Sequence, residues 1–137
     1  MKIKSKLKLE VERFISTYYL SSEEMGGYLI SNQKGIVAYF LPLPNQSEKP
    51  RTNFLFPQGG LKLAEQFARS RKGRVIADFH SHPDPCIMSA ADQCYAQSNP
   101  ELFFVTITPT GKWSDWRRKE YIWYVCKGIK PEKVEEV

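Results

Sequence analysis

FHSHPDPCIMSAAD, residues 79–92, is the stretch on which the reading of this chain turns. His80 and His82 fall at the end of RVIADFHSH, a short apolar run read as a buried strand. Side chains alternate faces along a strand, so both imidazoles project from one side and can reach one ion. Pro83 ends the strand, because it has no N–H for the ladder. After the turn DPCIM, Ser89-Ala-Ala-Asp92 has the form of a capping box that opens a helix running to Ser98, with Ser89 at the N-cap and Asp92 three positions on. An ordinary cap that follows hydrogen-bonded histidines explains these letters. A metal site explains them too, since helical side chains lean toward the N-terminus and Asp92 can face the strand end. Two imidazoles and one carboxylate are a ligand set that Zn²⁺ takes in catalytic sites, with the fourth tetrahedral position left to water. His80 and His82 are the only histidines in the chain.

Outward from that stretch, helices and strands alternate. Leu61, Leu63, Ala64, Phe67 and Ala68 recur at helical spacing until Gly73, which predicts a helix over 59–72. LPLPNQSEKPRTNFLFP carries four prolines and reads as a long surface loop, over 42–57, of the kind that is commonly functional. Before it, residues 27–32 and 35–41 are predicted strands joined by a tight turn from Asn32 to Gly35. Leu9, Phe14, Ile15 and Tyr18 predict a helix over 9–20, and the alternating residues 2–9 suit a short strand. Downstream, ELFFVTITP is a central strand and YIWYVC a final one. TGKWSDWRRKE, with Trp113 and Trp116, is read as a polar connection between them. The order implies an α/β fold with a single mixed β-sheet flanked by helices. One domain is expected over 1–128, followed by a charged, frayed tail over 129–137 in which Ile129 and Val134 are the available anchors.

At 137 residues, with 42% hydrophobic and 13% aromatic residues, the chain can close one core. The formal charge of +5 tolerates an acidic partner, but no base-stacking or groove-reading motif accompanies it, so no nucleic acid is expected. Cys86, Cys94 and Cys126 form no C-x-x-C pair and read as reduced thiols, with Cys94 and Cys126 in the core. No run approaches the roughly 20 apolar residues of a membrane span. A soluble, cytoplasmic protein with no membrane partner is the expectation.

Together, His80-Ser81-His82-Pro83 and Ser89-x-x-Asp92 resemble the signature of the JAMM (MPN+) zinc metalloproteases, and Glu24-Met25-Gly26-Gly27 is similar to the upstream Glu-x-Gly-Gly of their small prokaryotic JAB-domain group. The resemblance covers residues 9–126, with elements in the same order and a layering like that of cytidine deaminases. It implies one Zn²⁺ held by His80, His82 and Asp92, Glu24 as the general base, and Ser89 at the tetrahedral oxyanion. Glu23 is the rival base, and registration to Gly26-Gly27 favours Glu24. Six residues separate His82 from Ser89 where the family commonly has seven, and Met88 replaces its usual proline, so Ser89 departs most from the pattern. Cys86 has no further histidine to activate it as a nucleophile.

The family implies peptide or isopeptide hydrolysis without a covalent intermediate, at the bond after the C-terminus of a ubiquitin-like protein or of a protein conjugated in that manner. Small members accompany activating and conjugating enzymes, including in antiphage defence operons, and these are the implied partners. Two alternatives stay open: release of cysteine from a sulfur-carrier protein, and a non-catalytic MPN-type scaffold. The latter is disfavoured by the intact Glu24, His80, His82 and Asp92.

Overall fold

The computed structural model describes residues 1–17, 23–84, 101–115 and 118–137, without the side chains of 113–115 and 118. In chain order its elements are β1 (Lys2–Ile3), α1 (Ser5–Thr17), β2 (Gly26–Ser31), β3 (Val37–Leu43), α2 (Gly60–Ser70), β4 (Val75–Ser81), β5 (Phe103–Asp115), β6 (Arg118–Lys127), β7 (Lys130–Glu132) and β8 (Glu135–Glu136). The strands join one mixed sheet in the order β7-β6-β5-β4-β2-β3-β1-β8. The α/β reading with one mixed sheet holds. The helix expected from Ser89 to Ser98 lies outside the described residues, and among the described residues no helix is long and apolar enough to cross a membrane.

Alternation along the strands splits the core in two. Leu29, Ala77, Phe79, Val105, Ile107 and Val125 point to one face, where Leu7, Val11 and Ile15 of α1 cover them. Tyr28 and Ile30 point the other way, against Ala64 and Ala68 of α2. Helix α1 therefore starts earlier than 9–20 predicts. Leu7, Val11 and Ile15 recur every four residues and form the buried stripe, so Leu7 belongs to the helix and only Lys2–Ile3 remain as strand.

Three further expectations are corrected. Of TGKWSDWRRKE, residues 110–115 continue β5 and residues 118–120 begin β6, where a polar connection is expected, with Trp113 opposite Lys119 and Asp115 opposite Arg118; Trp116 lies outside the described residues. Gly111, at φ 84, absorbs the irregularity in that ladder. The tail does not fray. Gly128 (φ 61) turns the chain so that β7 pairs antiparallel with β6, and β8 pairs with β1, placing Glu135 opposite Lys2. Val134 packs on the core, whereas Ile129 stands 93% exposed at the turn. Cys126 is fully buried, as expected, but is disulfide-bonded rather than a reduced thiol. Cys86 and Cys94 lie outside the described residues.

Candidate metal centre

The site forms where β2 begins and β4 ends. The two strands are antiparallel, with Gly26 opposite His80, which brings the residues just before β2 beside the histidines. Ser81, between the two histidines, faces away from them and fastens the join: its N–H donates to the Met25 carbonyl at 2.7 Å, and its Oγ accepts from the Met25 N–H at 2.9 Å. The paired glycines are needed for space. A Cβ at Gly26 would lie 2.7 Å from the Phe79 carbonyl oxygen and 2.8 Å from the Phe54 ring, and one at Gly27 would overlap the Leu41 carbonyl oxygen. Met25-Gly26-Gly27 can thus be drawn tight between β3 and β4 with Glu24 at its end.

In this arrangement Glu24, His80 and His82 offer one ligand atom each, all within 4.8 Å of one another. Glu24 is 5% exposed, and burial pushes its carboxyl up to about 7. His80 is held down to about 4, first by burial and then by the neighbouring His82, and burial lowers His82 as well. The His80 ring stands 5.3 Å from that of His82 and 5.2 Å from Phe104. Both imidazoles are accordingly neutral near pH 7, the form that binds metal. Donor atoms around a tetrahedral zinc sit about 3.4 Å apart, so closure of this group on an ion needs only small side-chain adjustment. These residues fit a metal ion, and Glu24 can serve there either as a ligand or as an acid–base group.

Of the residues singled out in the sequence, the fold brings together Glu24, His80 and His82. Asp92 and Ser89 lie outside the described residues. Glu23 is exposed and takes no part in the group. The sequence reading missed Ser81, whose role depends on which strand lies beside it, and Asn45. The latter sits in the proline-rich loop, and its Nδ2 donates to the Glu24 carbonyl at 3.1 Å. An Asn between two prolines is equally a turn residue, so no signal in the letters distinguished it.

Residues 20–119 match the profile of the prokaryotic homologs of the JAB domain. The chain belongs to this prokaryotic JAB-domain family. Two solution structures share the JAB-domain protein's fold. One, of a protein from Desulfitobacterium hafniense, is 22% identical, covers 99% of this chain and 94% of its own, and has a TM-score of 0.66. The other, from Salinibacter ruber, is 19% identical, covers 100% of this chain and 92% of its own, and has a TM-score of 0.59. No curated protein sequence matches the chain.

Proposed function

We propose that this JAB-domain protein is a zinc-dependent peptidase or isopeptidase that cuts after the C-terminus of a ubiquitin-like protein, or of a protein conjugated in a ubiquitin-like manner. The observation that carries the reading is the buried Glu24 carboxyl gathered with two neutral imidazoles within 4.8 Å. His80 and His82 hold the ion, and Asp92, the carboxylate of the Ser89-x-x-Asp92 motif, completes the set. The chemistry supplied by a bound zinc is polarisation of the scissile carbonyl and acidification of water. Glu24, poised near neutrality, takes the proton from the attacking water and returns it to the departing amine. Ser89 donates to the tetrahedral oxyanion.

The family's attachment to ubiquitin-like tails agrees with the shape of the sheet beside the site. β4 pairs with β5 only as far as Ser81 opposite Ile107, yet β5 continues to Asp115. Beyond Ile107 its edge has no strand partner on that side among the described residues. An extended tail can add there through main-chain hydrogen bonds, with its last carbonyl directed toward His82. The enzymes that activate and conjugate the same ubiquitin-like protein, in a defence operon or elsewhere, are the partners this reading implies.

Metal analysis of the purified protein and hydrolysis of a fluorogenic peptide ending in a ubiquitin-like Gly-Gly tail test the proposal. About one zinc per chain is expected. Glu24→Gln should keep the zinc and lower kcat by about 10²- to 10⁴-fold, whereas His82→Ala should lose zinc and activity together. A protein that takes up no zinc under any loading condition sinks the reading. Loss of zinc from Glu24→Gln would make Glu24 a ligand rather than the base.

A further inference from the structure

The proline-rich loop between β3 and α2 is organised around one side chain. Asn45 Nδ2 donates to the carbonyl of Asn53 at 2.8 Å and to that of Glu24 at 3.1 Å, with a longer approach of 3.4 Å to that of Pro50. Its Oδ1 accepts from the N–H groups of Ser47 at 3.0 Å and Leu55 at 3.2 Å. Two donors and two acceptor positions are all that a carboxamide has, so the group is saturated. The orientation of the amide is fixed as well: flipping it would set oxygen against carbonyls and NH₂ against two N–H groups. The loop then returns a second bond to the same place, the Glu24 N–H donating to the Pro50 carbonyl at 2.8 Å.

Glu24 lies outside any strand, in the segment leading into β2. On one side its neighbour Met25 is tied to Ser81 between the histidines. On the other, both of its own main-chain groups are tied to the loop, one of them through Asn45. We propose that Asn45 is a positioning residue for Glu24: its carboxamide locks the loop to the Glu24 main chain and so fixes where the carboxylate stands relative to His80 and His82. This rests on the reading of Glu24 as the working carboxylate of the metal site. The loop becomes part of that site, because displacing its strap between Asn45 and Leu55 displaces the carboxylate.

The test compares the full chain with Asn45→Asp, Asn45→Ala, Glu24→Gln and the double variant Asn45→Ala/Glu24→Gln. Asn45→Asp keeps the size and the acceptor oxygen but turns a second oxygen toward the Glu24 and Asn53 carbonyls. Co²⁺ is the probe, since its visible absorption responds both to the ligand set and to the carboxylate that hydrogen-bonds to it. Both Asn45 variants should bind Co²⁺ with a band displaced toward that of Glu24→Gln, and Asn45→Ala should add nothing further in the Glu24→Gln background, because residues acting through one group are not additive. In the metal-free protein, amide exchange at Glu24 should quicken by about tenfold in either Asn45 variant, the loss of roughly one hydrogen bond, while exchange at Leu29 in the middle of β2 stays unchanged. A native band with native Glu24 exchange overturns the proposal, as does a cobalt effect that simply adds to that of Glu24→Gln. If the native protein takes up no Co²⁺, the metal reading fails by itself. The exchange comparison then decides the role of Asn45, and unchanged exchange at Glu24 overturns it.

Discussion

The two faces of the central strands come from alternate residues of the same segments, yet they bury different chemistry. Toward α1, β4 and β5 contribute Ala77, Phe79, Val105 and Ile107, all apolar and fully buried. Toward the opposite face the same strands contribute Asp78, His80, Thr106 and Thr108, with Glu24 beside them. Apolar burial stabilises the fold in proportion to area, whereas buried polar groups cost free energy unless they are satisfied. The face toward α1 is therefore stabilised by apolar burial along these strands, whereas the opposite face, apolar where α2 covers it, gives up part of that stability at the site to hold a buried carboxyl beside two half-buried imidazoles.

The largest expected effect breaks the first face. Phe79→Ala should destabilise the protein by about 3–5 kcal/mol through the cavity left against α1, read by denaturant unfolding of the metal-free protein. A loss below about 1 kcal/mol would mean that the site collapses around the gap and that the apolar face is not the main source of stability.

The next effect comes from the polar face and depends on pH. The Glu24 carboxyl is raised from its ordinary 4.5 to about 7. Below 4.5 the folded and unfolded states both hold its proton. As pH rises to 7 the unfolded chain ionises first, so the stability that Glu24 contributes is full below 4.5 and lost as pH passes through 7. Metal-free Glu24→Gln should gain on the native protein by about 1.4 kcal/mol per pH unit over that window, up to about 3 kcal/mol. His80, held down to about 4, acts with the opposite sign: its contribution is present above 6.5 and lost as pH falls toward 4. It is common to both proteins and drops out of their difference. A difference that does not change between pH 4.5 and 7 would show that the carboxyl is not buried in its neutral form.

These contrasts also mark what the sequence could reveal. The histidine pair was legible because two residues on one strand share a face whatever surrounds them. The place of Glu24 was not, since it depends on Gly26 standing opposite His80, a register between distant segments, and it was reached only through a family likeness. The helix boundary erred because Leu7 continues an alternating run and a helical stripe equally well, and the core against α1 settles which. The tail reads as frayed in the sequence because KPE has little intrinsic strand preference. Its pairing comes from the turn at Gly128 and from β6 beside it, and for β8 from Lys2 and Ile3 at the other end of the chain. Asp92 rests on its spacing in Ser89-x-x-Asp92 together with the likeness, and the oxyanion role of Ser89 on the likeness alone.

The smallest effect would sharpen the comparison most. Thr106 and Thr108 are fully buried, and their hydroxyls have no hydrogen-bond partner among the described residues. Thr106 stands opposite His80 in the sheet register. An unsatisfied buried hydroxyl costs about 1–3 kcal/mol, so Thr106→Val should raise the stability of the metal-free protein by about 1 kcal/mol, while Val105→Thr on the apolar face should lower it by a similar amount. If the hydroxyl exists to orient His80, the gain should come with a zinc affinity lower by about 10- to 100-fold. Unchanged stability would mean that Thr106 finds a partner after all, and unchanged affinity would leave its hydroxyl without a part in the site. A gain in one with a loss in the other would show that the polar face trades stability for a metal centre, a trade the face toward α1 never makes.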